Sequence, residues 1–292
     1  MSVALLHPAS ARCTRPRLQL PRGACDCHMH IYDARFPLAA KARRQEPDAP
    51  VAAYRALQSV LGLERVVVVQ PTAYGMDNRC TLAALAEFGA CARGISIIDD
   101  TVGDSEIRRL DGAGMRGVRF RMTGKPELPW EMLPQMAARV AAHRWHIQFQ
   151  MDGRELHTRL ELLQSLPCNL VIEHIGKFLE PVGIDHPGFQ ALLRLLDSGR
   201  VWVKLSGAYM MSKSGPPLYN DIGVLAKALV AHAPERMVWA SDWPHPLATP
   251  QTLPDDAQLI DLLLEWAPDA KTRERILVDN PAALYGFAAS GD

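Results

Sequence analysis

Short runs rich in β-branched residues alternate along this chain with longer stretches whose apolar positions recur every three or four residues. The short runs cover 24–30, 65–70 (RVVVVQ), 94–99 (GISIID), 117–121 (GVRFR), 146–151 (HIQFQM), 169–174 (NLVIEH), 201–206 (VWVKLS) and 237–242 (MVWASD). Between them, Val51, Tyr54, Leu57 and Leu61 form one helical stripe, and Leu82, Leu85 and Phe88 a second. Trp130, Leu133, Met136 and Val140 follow, then Leu156, Leu160 and Leu163, then Phe189, Leu192, Leu193 and Leu196, then Ile222, Leu225 and Leu229. The weakest helical segment lies between the third and fourth runs, where only Ile107 and Leu110 carry the period. Eight such alternations, with strands short and apolar enough to be buried on both faces, predict an α/β fold of the (β/α)8 TIM-barrel type. No linker or repeat divides the chain. The pattern predicts one barrel domain over 23–292, preceded by an N-terminal arm over 1–22 that carries Pro8, Pro16 and Pro21.

Composition narrows the partners. Of 292 residues, 32 are Lys or Arg and 32 are Asp or Glu, so no net positive field draws in nucleic acid or an anionic membrane surface. The six cysteines are scattered without a C-x-x-C pair, as expected of reduced thiols in a cytoplasmic protein rather than of a disulfide framework. No apolar run is long enough to span a bilayer, and Val3–Leu6 is too short for a signal sequence. The expected partner is a small molecule. The sequence does not fix the oligomeric state.

In a (β/α)8 barrel the chemistry is built at the C-terminal ends of the strands. Read in order, those ends supply His28 and His30 from "CDCHMH", Gln70, Asp99 and Asp100, then Arg119 and Arg121. Gln148 and Gln150 come from the fifth strand, His174 from the sixth, Lys204 and Ser206 from the seventh with Tyr209 just beyond, and Asp242 from the eighth. Strand alternation places Cys25, Cys27 and Met29 on one face and Asp26, His28 and His30 on the other. A lone His or Asp at a strand end is more often a hydrogen-bonded cap than a catalyst. Gln70, Asp99 and Asp100 fit that role. His143, His146 and His157 lie at the wrong end of the strands or among helices and read as structural, and the two cysteines as packing. His28, His30, His174 and Asp242 converge from the first, sixth and eighth strands, and chance does not readily place all four together.

These residues, together with "GMRGVRF", "IEHIGK", "KLSGAY", "SDWPHP" and the closing "DNPAALYGF", resemble the amidohydrolase-2 branch of the amidohydrolase superfamily from Gly23 to about Phe287. Within it the set looks like the lactone-acting group of pyrone-dicarboxylate lactonases, sugar-acid lactonases and D-galactarolactone isomerases. The resemblance implies that His28, His30 and His174 polarise a lactone carbonyl, that Asp242 activates water, and that Arg119 grips a substrate carboxylate. Arg121, Gln148, Lys204, Tyr209 and Lys177 complete the candidate substrate-binding set. Gln148 stands where the pyrone lactonases carry a tyrosine, Met210–Met211 where an arginine lies nearby, and Leu247 replaces a polar residue. A pyrone dicarboxylate is therefore the less expected substrate.

A catalytic zinc site wants about three His or carboxylate ligands and an open position. His28, His30 and Asp242 can be imagined holding a weakly bound divalent ion such as zinc. However, the fourth strand offers Arg119 and Arg121, always charged, and the fifth offers glutamines, which are poor ligands. The expectation is a metal-independent enzyme without cofactor, a lactonase acting on a small anionic lactone. The same site can serve a lactone isomerase that moves the acyl group between hydroxyls. A metal-dependent decarboxylase and a non-catalytic anion-binding barrel are the more distant alternatives.

Overall fold

The computed structural model describes residues 13–40, 42 and 48–288. Eight strands form one parallel sheet in sequential order. They are β1 (Cys25–Met29), β2 (Arg65–Val69), β3 (Ala92–Ser96), β4 (Met115–Arg121), β5 (His146–Gln150), β6 (Leu170–Ile172), β7 (Val201–Leu205) and β8 (Met237–Trp239). The barrel closes beyond β8, where Asp242 N donates to His28 O at 2.8 Å and His30 N donates to Trp243 O at 2.8 Å. These bonds tie the β8 loop to β1.

Between successive strands lie α1 (Val51–Leu61), α2 (Arg79–Phe88), α3 (Asp104–Gly112), α4 (Leu133–Ala142), the short α5 (Leu160–Ser165) and α6 (Pro187–Asp197). After β7 come α7 (Ala208–Met211) and α8 (Asn220–His232), and after β8 come α9 (Asp256–Asp261), α10 (Leu263–Trp266), α11 (Ala270–Glu274) and α12 (Asn280–Tyr285). The apolar stripes read from the sequence are the buried faces: Val51, Tyr54, Leu57 and Leu61 on α1, and Leu133, Met136 and Val140 on α4. Even the weakest stripe forms a helix, because Ile107 and Leu110 are both buried while Asp104 and Glu106 favour its positive N-terminus.

The sheet has two cores. Residues such as Met29, Val66, Val68 and Ile147 pack outward against the helices. Cys25, Cys27, Val67, Val69, Ile95, Val171 and Val238 pack in a second cluster with Tyr285 and Phe287. That cluster shows the simple alternation of β1 to be wrong. Cys25 and Cys27 lie in one cluster and Met29 in the other, because β1 is bulged against β2. Asp26 pairs with Val66 and Met29 with Val68, so three steps on β1 match two on β2. The extra residue separates Asp26 from the two histidines. Asp26 is fully buried and accepts from Tyr54 Oη (2.9 Å), Ser241 N (3.0 Å) and its own strand's His28 N (3.0 Å). It joins β1, α1 and the β8 loop, and burial raises its pKa to about 6 against those bonds.

Residues 1–12 of the expected arm lie outside the described residues. The remainder runs along α9: Thr14 Oγ1 donates to Asp255 at 2.7 Å, and Leu18 N donates to Asp261 at 2.8 Å.

Candidate active site

Strand alternation delivers the first groups. On β5, His146, Gln148 and Gln150 share a face, and His146 is stacked edge-on to Tyr285, ring centroids 5.4 Å apart, in the structural place expected of it. The loops after β6 and β8 supply the rest through unusual backbone. His174, Ile175, Lys177, Asp242 and His245 all have φ between 52° and 64°, a left-handed conformation that non-glycine residues rarely adopt and that concentrates at functional sites. The sequence pattern assigned His174 and Asp242 to strand ends. They lie instead beyond β6 and β8, in loops that turn sharply.

These turns bring the four expected residues together. His28 Nε2 lies 3.2 Å from His30 Nε2. Asp242 Oδ1 lies 3.5 Å from His28 Nε2, 3.6 Å from His30 Nε2 and 3.9 Å from His174 Nε2. Its other oxygen, Oδ2, accepts from Tyr209 Oη at 2.7 Å. Burial pushes the Asp242 carboxyl up, but His174, His30 and the Tyr209 hydroxyl outweigh it and hold the pKa well below the usual carboxylate range. Burial lowers the His174 pKa to about 4 despite Asp242 and Glu173 beside it, and holds His28 well below its ordinary value with help from Lys204. At neutral pH the site therefore contains an ionised carboxylate facing neutral imidazoles at His28 and His174. His30 Nδ1 meets the Val69 carbonyl at 2.8 Å, and His174 Nδ1 meets Ser206 Oγ at 2.9 Å.

Beneath the histidines is a charged network that sequence reasoning missed. Its centre is Glu173, the residue before His174 and fully buried. Arg119 Nε and Nη2 donate to its two oxygens at 2.7 and 2.8 Å, a paired geometry. Gln148 Nε2 donates to Glu173 Oε1 at 2.5 Å, and Lys204 Nζ donates to Gln148 Oε1 at 2.6 Å and to Cys27 O at 2.7 Å. Burial opposes the charge on Glu173, yet Arg119 above all brings its pKa down to about 2. Burial brings Lys204 down to about 8. The only signal for this network was a carboxylate flanking the strand-six histidine in "IEHIGK".

Several of the expected substrate ligands have partners within the protein. Arg119 faces Glu173. Arg121 holds the loop after β4, bonding Thr123 O, Lys125 O and, at 2.6 Å, Glu127. Lys177 is different. Its Nζ has Met210 Sδ at 2.9 Å and no carboxylate partner among the described residues, although Asp242 and Glu173 act on it from farther away. Burial lowers its pKa to about 8.

A divalent ion is the alternative occupant. Ligand atoms of His28, His174 and Asp242 lie within 4.8 Å of one another, a different trio from the His28, His30 and Asp242 read from the sequence. A metal-bound imidazole normally donates its second N–H to a carboxylate, carbonyl or water. His30 has such a partner in Val69 O. His28 does not: its Nδ1 faces two donors, Lys204 Nζ at 3.4 Å and Gln148 Nε2 at 3.5 Å. Donors at the His28 Nδ1 are the opposite of what a metal-bound imidazole has there.

The chain is 37% identical over 275 residues to a D-galactarolactone isomerase of Agrobacterium fabrum, covering 93% of this chain and 94% of that one. It is 33% identical over 284 residues to a 2-pyrone-4,6-dicarboxylate hydrolase of Comamonas testosteroni, covering 93% of each chain. A ligand-free crystal structure from Agrobacterium tumefaciens superposes with a TM-score of 0.88 at 36% identity, covering 94% of this chain and 99% of that one. No helix among the described residues is long and apolar enough to cross a membrane. The amidohydrolase family profile matches residues 25–287, and the chain belongs to the amidohydrolase family, in its amidohydrolase-2 branch.

Proposed function

We propose that this protein is a metal-independent lactonase that opens a small carboxylated lactone. The observation that carries the reading is the placement of Asp242 Oδ1 within 3.5–3.9 Å of three imidazole nitrogens while Tyr209 holds the other oxygen. A water at Oδ1 gives its proton to Asp242 as its oxygen attacks the lactone carbonyl carbon. Charge that develops on the carbonyl oxygen is stabilised by fixed N–H donors. His28 and His174 supply them. His30 donates Nδ1–H to Val69 O, so while neutral it presents a lone pair at Nε2 and helps hold the water rather than the oxyanion. Collapse breaks the bond to the ring oxygen, which takes the proton from Asp242, leaving a hydroxy acid.

Lys177 is the cation best placed to hold the substrate carboxylate. Lys177→Met raises KM for an anionic lactone about 10- to 100-fold, as expected for losing one hydrogen bond to a charged group, and leaves a neutral lactone's KM unchanged. Equal effects on both substrates would remove Lys177 from this role. Because its charged form is disfavoured by burial, the attraction is fully present below about pH 8 and is lost above it. Lys177→Arg moves that loss to higher pH.

Two measurements test the proposal as a whole. Turnover of carboxylated lactones in ¹⁸O-water places the label in the product carboxylate, and a chelator leaves the rate unchanged. Stoichiometric zinc in the active protein, with loss of activity on chelation, would sink the metal-free reading. The isomerase relative favours a second reading, acyl migration from one sugar hydroxyl to another on the same polarised carbonyl. In that case the product is a ring isomer without label.

A further inference from the structure

The fully buried Lys204 sits directly behind His28, and the surrounding bonds leave little freedom in who donates to whom. Gln148 has one orientation. Its oxygen must face Lys204, which has only donors when charged, and its amide nitrogen must face Glu173, which has only acceptors when ionised. The ammonium has two pure acceptors, Cys27 O and Gln148 Oε1, which leaves its third hydrogen for His28 Nδ1, 3.4 Å away. The second amide hydrogen of Gln148 approaches the same Nδ1 at 3.5 Å. Both contacts are long, but both bring a donor to the same nitrogen, and no acceptor opposes them among its described contacts. On the far side of the ring, His30 Nε2 presents a lone pair because His30 Nδ1 donates to Val69 O.

We propose that Lys204, oriented by Gln148 and Glu173, is a positioning residue that fixes His28 in the Nε2–H tautomer. His28 then carries its one hydrogen on the nitrogen that faces His30, Asp242 and the site, as an oxyanion donor must, and cannot offer the lone pair a metal ion needs. Three residues from β5, the β6 loop and β7 thus decide which of two chemistries the H-x-H motif performs. The inference rests on the metal-free reading above and explains it by a cause in this chain's own side chains.

The test is ¹⁵N NMR of the full-length protein with labelled histidine, His28 being assigned by the signals missing in His28→Gln. The expected wild-type pattern is a protonated Nε2 and an unprotonated Nδ1. In Lys204→Met the ratio of tautomers shifts about tenfold or more toward Nδ1–H, as for loss of a charge-assisted hydrogen bond. An Nδ1–H signal in the wild type overturns the proposal, since it means that a neutral Lys204 amine accepts from His28. An unchanged pattern in Lys204→Met also overturns it. The wild-type spectrum stands alone if the variant does not fold. Metal content of the same wild-type sample separates the two claims. Bound zinc defeats the functional reading, whereas a metal-free protein with Nδ1–H defeats only the role of Lys204.

Discussion

Asp242→Asn keeps the fold and lowers kcat for lactone opening about 10²- to 10⁴-fold, the range expected for removing a general base. The side chain keeps its shape, and its carbonyl can still accept from Tyr209 Oη, which lies 2.7 Å from the native carboxylate. Backbone closure of the barrel is also untouched, since Asp242 N still donates to His28 O. What disappears is the only carboxylate among the described residues that lies within 4 Å of all three imidazoles. Far-UV circular dichroism and thermal unfolding establish that the variant is folded, and kcat then reads the chemistry. Unchanged turnover in a folded Asp242→Asn protein would falsify the water-activation role. The wild-type pH profile carries a companion expectation. Because His174, His30 and Tyr209 overcome the effect of burial, Asp242 stays ionised through the usual carboxylate range, and its acid limb in kcat lies below that range. The same depression makes ionised Asp242 a source of stability that is present above its unfolded-state pKa and lost as pH falls through the folded value.

Much of this site was legible in the sequence, and what was not has identifiable physical causes. Periodicity located the eight strands and the helices between them, because buried parallel strands and amphipathic helices differ in both length and apolar spacing. It placed His28, His30, His174 and Asp242 at one end of the barrel, and they do meet there. Strand alternation failed on β1, where an unpaired residue in the ladder returns Cys25 and Cys27 to the inner cluster and moves Met29 to the outer one. A bulge leaves no mark in residue type when no glycine is needed. Strand ends failed at β6 and β8, because a left-handed His174 or Asp242 reads locally like any other polar residue after an apolar run. Glu173 was missed for a similar reason. On a regular strand it would point away from His174, and only the turn at His174 allows both to reach the interior.

Arg119→Met destabilises the protein by about 3–5 kcal/mol, the usual result of removing one partner from a buried ion pair, and lowers the thermal midpoint on the order of 10 °C. The resemblance to lactone-acting enzymes cast Arg119 as a substrate clamp, and the two roles predict different outcomes. A clamp facing the cavity would raise KM for a carboxylated lactone while leaving stability close to wild type. In the structure both guanidinium bonds under 3 Å go to Glu173, and Arg119 and Glu173 are 5% and 0% exposed. Removing Arg119 leaves an ionised carboxylate in the barrel interior with Gln148 bonded to it at 2.5 Å and His174 Nε2 at 3.5 Å. Protonating that carboxylate relieves the cost, so the Arg119→Met protein regains relative stability as pH falls, the reverse of the wild-type trend for Glu173. The double variant Arg119→Met/Glu173→Met removes both charges and recovers much of the lost stability, because a buried pair contributes little net energy against apolar groups of similar volume. Chemical denaturation of the two single variants and the double variant measures the coupling directly. Additive losses would mean that the two residues act independently and would return Arg119 to the substrate.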